Sequence, residues 1–293
     1  MKRKKRKRSR KILLFLSDTH SGHRLGLLNP NTMLEREDED GNIEQYSPEL
    51  THSQKYLWKV YKWGIDEVSA LADGDPVYIW HNGDLTAGSS RGKFSASLVS
   101  TRDGDQYIMA FSNLLPLMSI PNVSALRLIY GTGWHVFGGG SSESVIAGML
   151  RERYPKMYIR SMYHNLIDVG GKWVDVSHHG PGQSKRVWLE GNIARFYLRD
   201  LVIKALANND IVPDLVIRSH IHTYVSEPID IHGVQSRIVV TPSLCFVTDY
   251  ARKTMRSLSR IDNGMVAFTV EDGVLSEPIK LMKRKDFRTR EVI

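Results

Sequence analysis

The chain has 293 residues, 41% of them hydrophobic, with a formal net charge of +8, which fits an ordinary globular chain with room for one large domain or two small ones. No apolar run approaches the roughly 18 residues of a membrane span, and the single Cys245 excludes an internal disulfide. The charge is local: nine of the first eleven residues are Lys or Arg and none is acidic, so subtracting nine from +8 leaves about −1 for the rest.

Residues 1–11, MKRKKRKRSRK, are expected to form a disordered basic tail, because like charges in a row repel one another. Such a tail serves solubility or acts as an electrostatic handle for nucleic acid or another polyanion. The ILLFL that follows is shorter than the roughly 7–15 apolar residues of a secretory signal, and Asp18 follows it without a small-residue cleavage site. A lone cysteine without a signal makes the cytoplasm the expected location.

From residue 12 onward, strand-like and helix-like segments alternate. ILLFLSD reads as a buried strand, and the polar, charge-rich residues 24–52 as a long surface loop. Helical spacing of Tyr56, Leu57, Val60, Ile65, Val68 and Leu71 predicts a helix capped by Ser53. DPVYIWHNGD is a second strand, DQYIMAFSNLLPLM a helix, and SALRLIYGTGWH a strand entering a glycine-rich turn. SSESVIAGMLRERY predicts a helix capped by Ser141 or Ser142, and YHNLIDVGGKWVDVSHHG a hairpin turning at Gly170-Gly171. Residues 187–208 form a helix with Ile193, Phe196, Tyr197, Leu201 and Leu206 on one side; DLVIRSHIH is another strand, and the last quarter reads as antiparallel strands. The whole suggests one α/β domain over residues 12–285 with mixed sheets and outer helices, followed by a short tail at 286–293.

Five apolar runs end alike. They lead to Asp18 and His20, to Asp84, to His135, to His178 and His179, and to His220 and His222. If extended geometry persists, Asp18 and His20 point to one face, as do His220 and His222. In α/β sheets ligand sites gather beyond the carboxyl ends of strands, and a cluster of His and Asp there points to a metal site for Mn, Fe or Zn. Without cysteine in the set it is not a structural zinc centre. The number of ligands fits two ions bridged by a carboxylate better than one. His52, His164 and His232 lie outside these motifs, and His23 and His81 match no ligand slot.

The order D-x-H, G-D, a G-N-H-like turn, a lone H and x-H-x-H resembles the calcineurin-like metallophosphoesterase superfamily over about residues 12–225. The resemblance implies a four-layer α/β/β/α sandwich with a two-metal site at the strand ends. It further implies that Asp18, His20, Asp84 and His222 hold one ion, and that Asp84 bridges to a second held by His178 and His220, with His179 the alternative to His178. The family's third motif, Gly-Asn-His, is replaced here by Gly131-Thr132-Gly133-Trp134-His135. Thr132 takes the metal-binding Asn slot by position, and His135 either reaches the substrate's leaving group or replaces the missing ligand. This turn and TPSLCFVTDYAR resemble phage-encoded relatives.

The activity implied is hydrolysis of a phosphoester with two divalent ions, Mn first among Mn, Fe and Zn, acting on nucleic acid, nucleotide, phosphoprotein or a small molecule. His135 is the expected general acid or leaving-group stabiliser. Asn82, Arg91, Lys93 and Lys185, on loops beside the motifs, are the substrate-side candidates. The alternative is a non-catalytic scaffold or nucleic-acid-binding protein on the same fold.

Overall fold

The computed structural model describes residues 10–88, 95–135, 141–182, 189, 191–247, 260–286 and 291. In chain order its elements are β1 (Lys11–Leu16), β2 (Leu34–Glu37), β3 (Ile43–Tyr46), α1 (His52–Ala72), β4 (Val77–Asn82), α2 (Asp103–Met118), β5 (Val123–Ile129) and α3 (Ser142–Arg153). There follow β6 (Tyr158–Met162), β7 (His164–Asp168), β8 (Trp173–Ser177), α4 (Asn192–Asn208), β9 (Leu215–Arg218), β10 (Val225–Ile231), β11 (Val234–Val240), β12 (Arg260–Glu271), β13 (Val274–Leu275) and β14 (Ile279–Asp286).

Two mixed sheets form the centre. The first has the order β13-β12-β1-β4-β5-β6, with β14 also on β12; the second has the order β10-β11-β9-β8-β7. In β1 the alternation of side chains explains why the run is apolar throughout. Ile12, Leu14 and Leu16 pack in the cluster shared with α1, α2 and α3, while Leu13 and Phe15 enter the cluster between the sheets, against Val174, Val176, Leu215, Ile217 and Val239. On the far side, Val216, Ile238 and Val240 meet Ala194, Leu198 and Val202 of α4. The layers are therefore α/β/β/α. The parallel strands β1, β4 and β5 of the first sheet, and β8, β9 and β11 of the second, end at a common edge, and the site lies there.

Several sequence expectations change in the structure. Residues 24–52 are no simple loop: β2 and β3 pair as a hairpin, and Leu27, Leu28 and Leu34 are fully buried. The glutamates and aspartates around that hairpin mask the short strand alternation. Thr51, not Ser53, caps α1, in a reciprocal capping box with Gln54. On α4 the buried positions are Ala194, Leu198, Val202 and Ala205. Ile193, Phe196 and Leu206 are exposed, while Tyr197 and Leu201 are partly buried. The helix is apolar on both sides, and the sheet selects the side with small residues for close approach. The last quarter is not purely antiparallel, since β11 runs parallel to β9. Of the residues expected in the basic tail, Lys11 pairs with Val270 in β12, and Arg10 is ion-paired to Asp75 and donates to the Leu71 carbonyl. At the other end Asp286 still belongs to β14. The hairpin at Gly170-Gly171 joins β7 to β8 as expected. Among the described residues no helix is long and apolar enough to cross a membrane.

Candidate metal centre

Each strand stops before its functional residue. β1 ends at Leu16, β4 at Asn82 and β9 at Arg218, and Asp18, His20, Asp84, His220 and His222 all have φ between 41° and 74°. The expectation that Asp18 and His20 share a face through strand pleating is thus replaced by a different geometry. The backbone coils into the left-handed region, which non-glycine residues seldom enter and which clusters at functional sites. Short cross-links hold these turns. Asp18 N–H donates to the Gly83 carbonyl at 3.0 Å, and His20 N–H to the Asp84 carbonyl at 3.1 Å.

The close packing leaves no room for side chains at two positions. A Cβ on Gly83, at φ +87°, would lie 2.2 Å from His178 Nδ1, and one on Gly131 would lie 2.2 Å from Asp84 Oδ1. These two glycines let the strand-end loops come together.

Among the described residues four overlapping groups result, the ligand atoms within each lying within 4.8 Å of one another: Asp18, His20 and His222; Asp18, Asp84 and His178; His20, Asp84 and His135; and His178, His179 and His220. His222 Nε2 is 3.2 Å from Asp18 Oδ1. His178, His135 and His220 approach Asp84 Oδ2 to 3.2, 3.7 and 3.8 Å. His178 Nδ1 lies 2.7 Å from the Asn82 carbonyl and His135 Nδ1 lies 2.9 Å from the Ala87 carbonyl. A carbonyl only accepts, so each Nδ1 carries its proton and each Nε2 is free to bind inside the site.

The electrostatics follow from this crowding. Burial by itself raises the Asp18 pKa, but His222 beside it holds the carboxyl well below its ordinary range. Asp84 is likewise held low against its burial by His178 and His220. Burial lowers the His178 pKa, and Asp84 and Asp18 overcome it, pushing it up to about 9. His20 is held well below its usual value by burial and by His135 and His222.

These residues suit divalent ions. Asp18 Oδ1 and His178 Nε2 are buried without a hydrogen-bond partner, and a cation taking the place of the His178 proton would use the Nε2 lone pair. Imidazole nitrogen with carboxylate oxygen is a donor set for Mn, Fe or Zn.

Other expected residues fall out differently. Thr132 donates to Asp84 Oδ1 through both its N–H, at 2.7 Å, and its hydroxyl, at 2.6 Å. Its contact is with the carboxylate, where a metal-ligand slot was expected. Asn82 is fully buried; its amide nitrogen donates to Ser219 Oγ at 2.7 Å and the Ser177 carbonyl at 3.0 Å. It ties the two sheets together, so it does not face substrate from a loop. Arg91, Lys93 and Lys185 lie outside the described residues, as do residues 1–9 and 248–252. His81 is buried against Thr19, its Nε2 3.1 Å from Thr19 Oγ1, and His164 pairs with Asp175 at 2.9 Å. Sequence reasoning missed Ser17, Ser219 and Thr241, whose hydroxyls sit below the site. Small hydroxyl residues beside ligand motifs are too common to stand out.

No protein-family model and no curated protein matches the chain. Among solved structures, a conserved predicted phosphoesterase from Streptococcus pneumoniae is similar at 8% identity and TM-score 0.35, over 94% of this chain and 98% of that one. A metallophosphoesterase from Sphaerobacter thermophilus is similar at 12% identity and TM-score 0.31, over 94% and 89%. A PhoD structure is similar at 9% identity and TM-score 0.37, over 90% and 64%. Likenesses of this size decide nothing about the chemistry of this chain, which rests on its own residues.

Proposed function

We propose that the chain is a metallophosphoesterase: a phosphoester hydrolase that works with two divalent ions, Mn first among Mn, Fe and Zn. The observation that carries this reading is the sharing of Asp18 and Asp84 among overlapping His/Asp groups. One carboxylate flanked by two sets of imidazoles is what a pair of neighbouring cations requires. In this reading Asp18, His20 and His222 hold one ion, His178 and His220 the other, and Asp84 serves both. When bound, such ions supply Lewis-acid polarisation of the phosphoryl group and make water a competent nucleophile near neutral pH.

The chain's own groups do the positioning. Thr132 fixes one oxygen of Asp84, leaving Oδ2 to face the imidazoles of His178, His135 and His220. His135, oriented through Nδ1 by the Ala87 carbonyl, presents Nε2 at the partly open rim. There it is placed to stabilise or protonate a leaving oxygen. A cytoplasmic setting and a basic tail that adds non-specific affinity for nucleic acid complete the proposal.

Elemental analysis of purified protein, with Mn-dependent hydrolysis of bis-p-nitrophenyl phosphate against p-nitrophenyl phosphate, tests it and separates diesterase from monoesterase. Absence of bound metal together with no stabilisation by added Mn defeats it.

A further inference from the structure

Below the ligands lies a row of buried hydroxyls that the proposed chemistry does not use. Ser17 Oγ is 2.7 Å from Thr241 Oγ1, Thr241 Oγ1 is 2.7 Å from Ser219 Oγ, and Ser219 Oγ accepts from Asn82 Nδ2 at 2.7 Å. Ser17, Asn82, Ser219 and Thr241 are each 0–1% exposed. At the Asn82 end the direction is set, because an amide nitrogen only donates. Ser219 then has its proton for Thr241. Thr241 has Ser17 Oγ and the Arg218 carbonyl, at 3.4 Å, as acceptors, and Ser17 has Thr241 Oγ1 and the Pro242 carbonyl, at 3.4 Å. In either sense of the Thr241–Ser17 link, every donor has an acceptor.

The row crosses the molecule's main seam. Ser17 follows β1 and Asn82 ends β4, both in the first sheet; Ser219 follows β9 and Thr241 follows β11, both in the second. Ser17 immediately precedes Asp18, Ser219 immediately precedes His220, and Asn82 stands two residues before Asp84. Asp18 and Asp84 belong to the first sheet's side of the site and His220 to the second's. Apolar packing between the sheets is non-directional and does not fix their relative position to a fraction of an ångström. Short hydrogen bonds do so, since they weaken steeply with distance and angle.

We infer that the Ser17–Thr241–Ser219–Asn82 chain is the positioning device that sets the spacing between the two halves of the metal centre, with Thr241, remote in sequence from every ligand, as its central link. The inference rests on reading the site as a two-metal centre. Thr241→Val keeps the shape and removes the hydroxyl, leaving Ser219 without its acceptor and Ser17 without its Thr241 partner. Outer-shell partners of metal ligands typically change affinity about 10–100-fold.

The test is titration of the full chain with Mn(II), read by calorimetry for affinity and stoichiometry and by electron paramagnetic resonance for exchange coupling between adjacent ions. The wild type is expected to show a coupled pair. Thr241→Val is expected to bind Mn about 10–100-fold more weakly with the coupling diminished, and Thr241→Ser to restore both. Affinity and coupling equal to wild type in Thr241→Val overturn the inference, whatever happens to the melting temperature. If Thr241→Val does not fold, Ser17→Ala is measured in the same way, and wild-type values there overturn it equally. A wild type with no coupled pair defeats the two-metal reading and the positioning role together. A coupled wild type with an unchanged variant defeats the positioning role alone.

Discussion

At the floor of the site, the side chains of Asp18, Asp84 and His178 are at most 1% exposed; at its rim, those of His222, His135 and His220 are 22%, 28% and 45% exposed. The two regions differ in residue type as well as in depth. Carboxylates are the costliest groups to bury, and here they lie where backbone N–H groups, Thr132 and imidazoles surround them. His222, His135 and His220 at the rim are imidazoles standing where water reaches them. In the proposed reading the floor supplies the carboxylates and His178, and the rim combines the ligands His222 and His220 with His135, which faces the leaving group.

The largest effect should come from the floor. Asp84→Asn is expected to lower turnover by about 10⁴-fold or more, the scale seen when a whole catalytic unit depends on one residue, and to lose both ions by elemental analysis. Near-full activity in Asp84→Asn, with none in His222→Ala, would place the shared ligand elsewhere.

Next comes the rim. His135→Ala is expected to lower turnover by about 10²–10⁴-fold with metal content intact, and by less for substrates with good leaving groups. Loss of one of two ions, whatever the leaving group, would instead move His135 among the ligands, as its grouping with His20 and Asp84 allows.

Depth also separates two neighbours. His178 is buried and His179 exposed, although both stand in one group with His220. His178→Ala should cost an ion, while His179→Ala should keep both and lose at most about tenfold in activity. The reverse result on metal stoichiometry would make depth a poor guide to ligation here.

The smallest effect lies outside both regions. Deleting residues 1–9 should leave the melting temperature and hydrolysis unchanged. It should lower the slope of log K against log salt for duplex DNA by about 0.9 for each phosphate the tail neutralises. The deletion must stop there, because Arg10 is bonded to Asp75 and Leu71. An unchanged slope would leave the tail as a solubility device.

The residues of the site were legible in the chain because a polar His or Asp directly after a buried apolar run is a local pattern. The same holds for β1, β4 and β9, whose continuous apolar runs mark strands covered on both faces. Local pattern could not choose the buried side of α4, where Phe196 and Leu198 are equally apolar and only the facing sheet decides. Nor could it tell that Thr132 serves Asp84, since a hydroxyl's partner depends on which loop folds against it. The left-handed turns at Asp18, His20, Asp84, His220 and His222 are likewise a tertiary outcome. No residue among them prefers that conformation enough to announce it, and each is held there by bonds to segments as much as 202 residues away, as between His220 and Asp18. Residue type and the strand-end syntax belong to the sequence, because they are set by near neighbours. Depth, orientation and partner belong to the fold, because they are set by the packing of two sheets against each other.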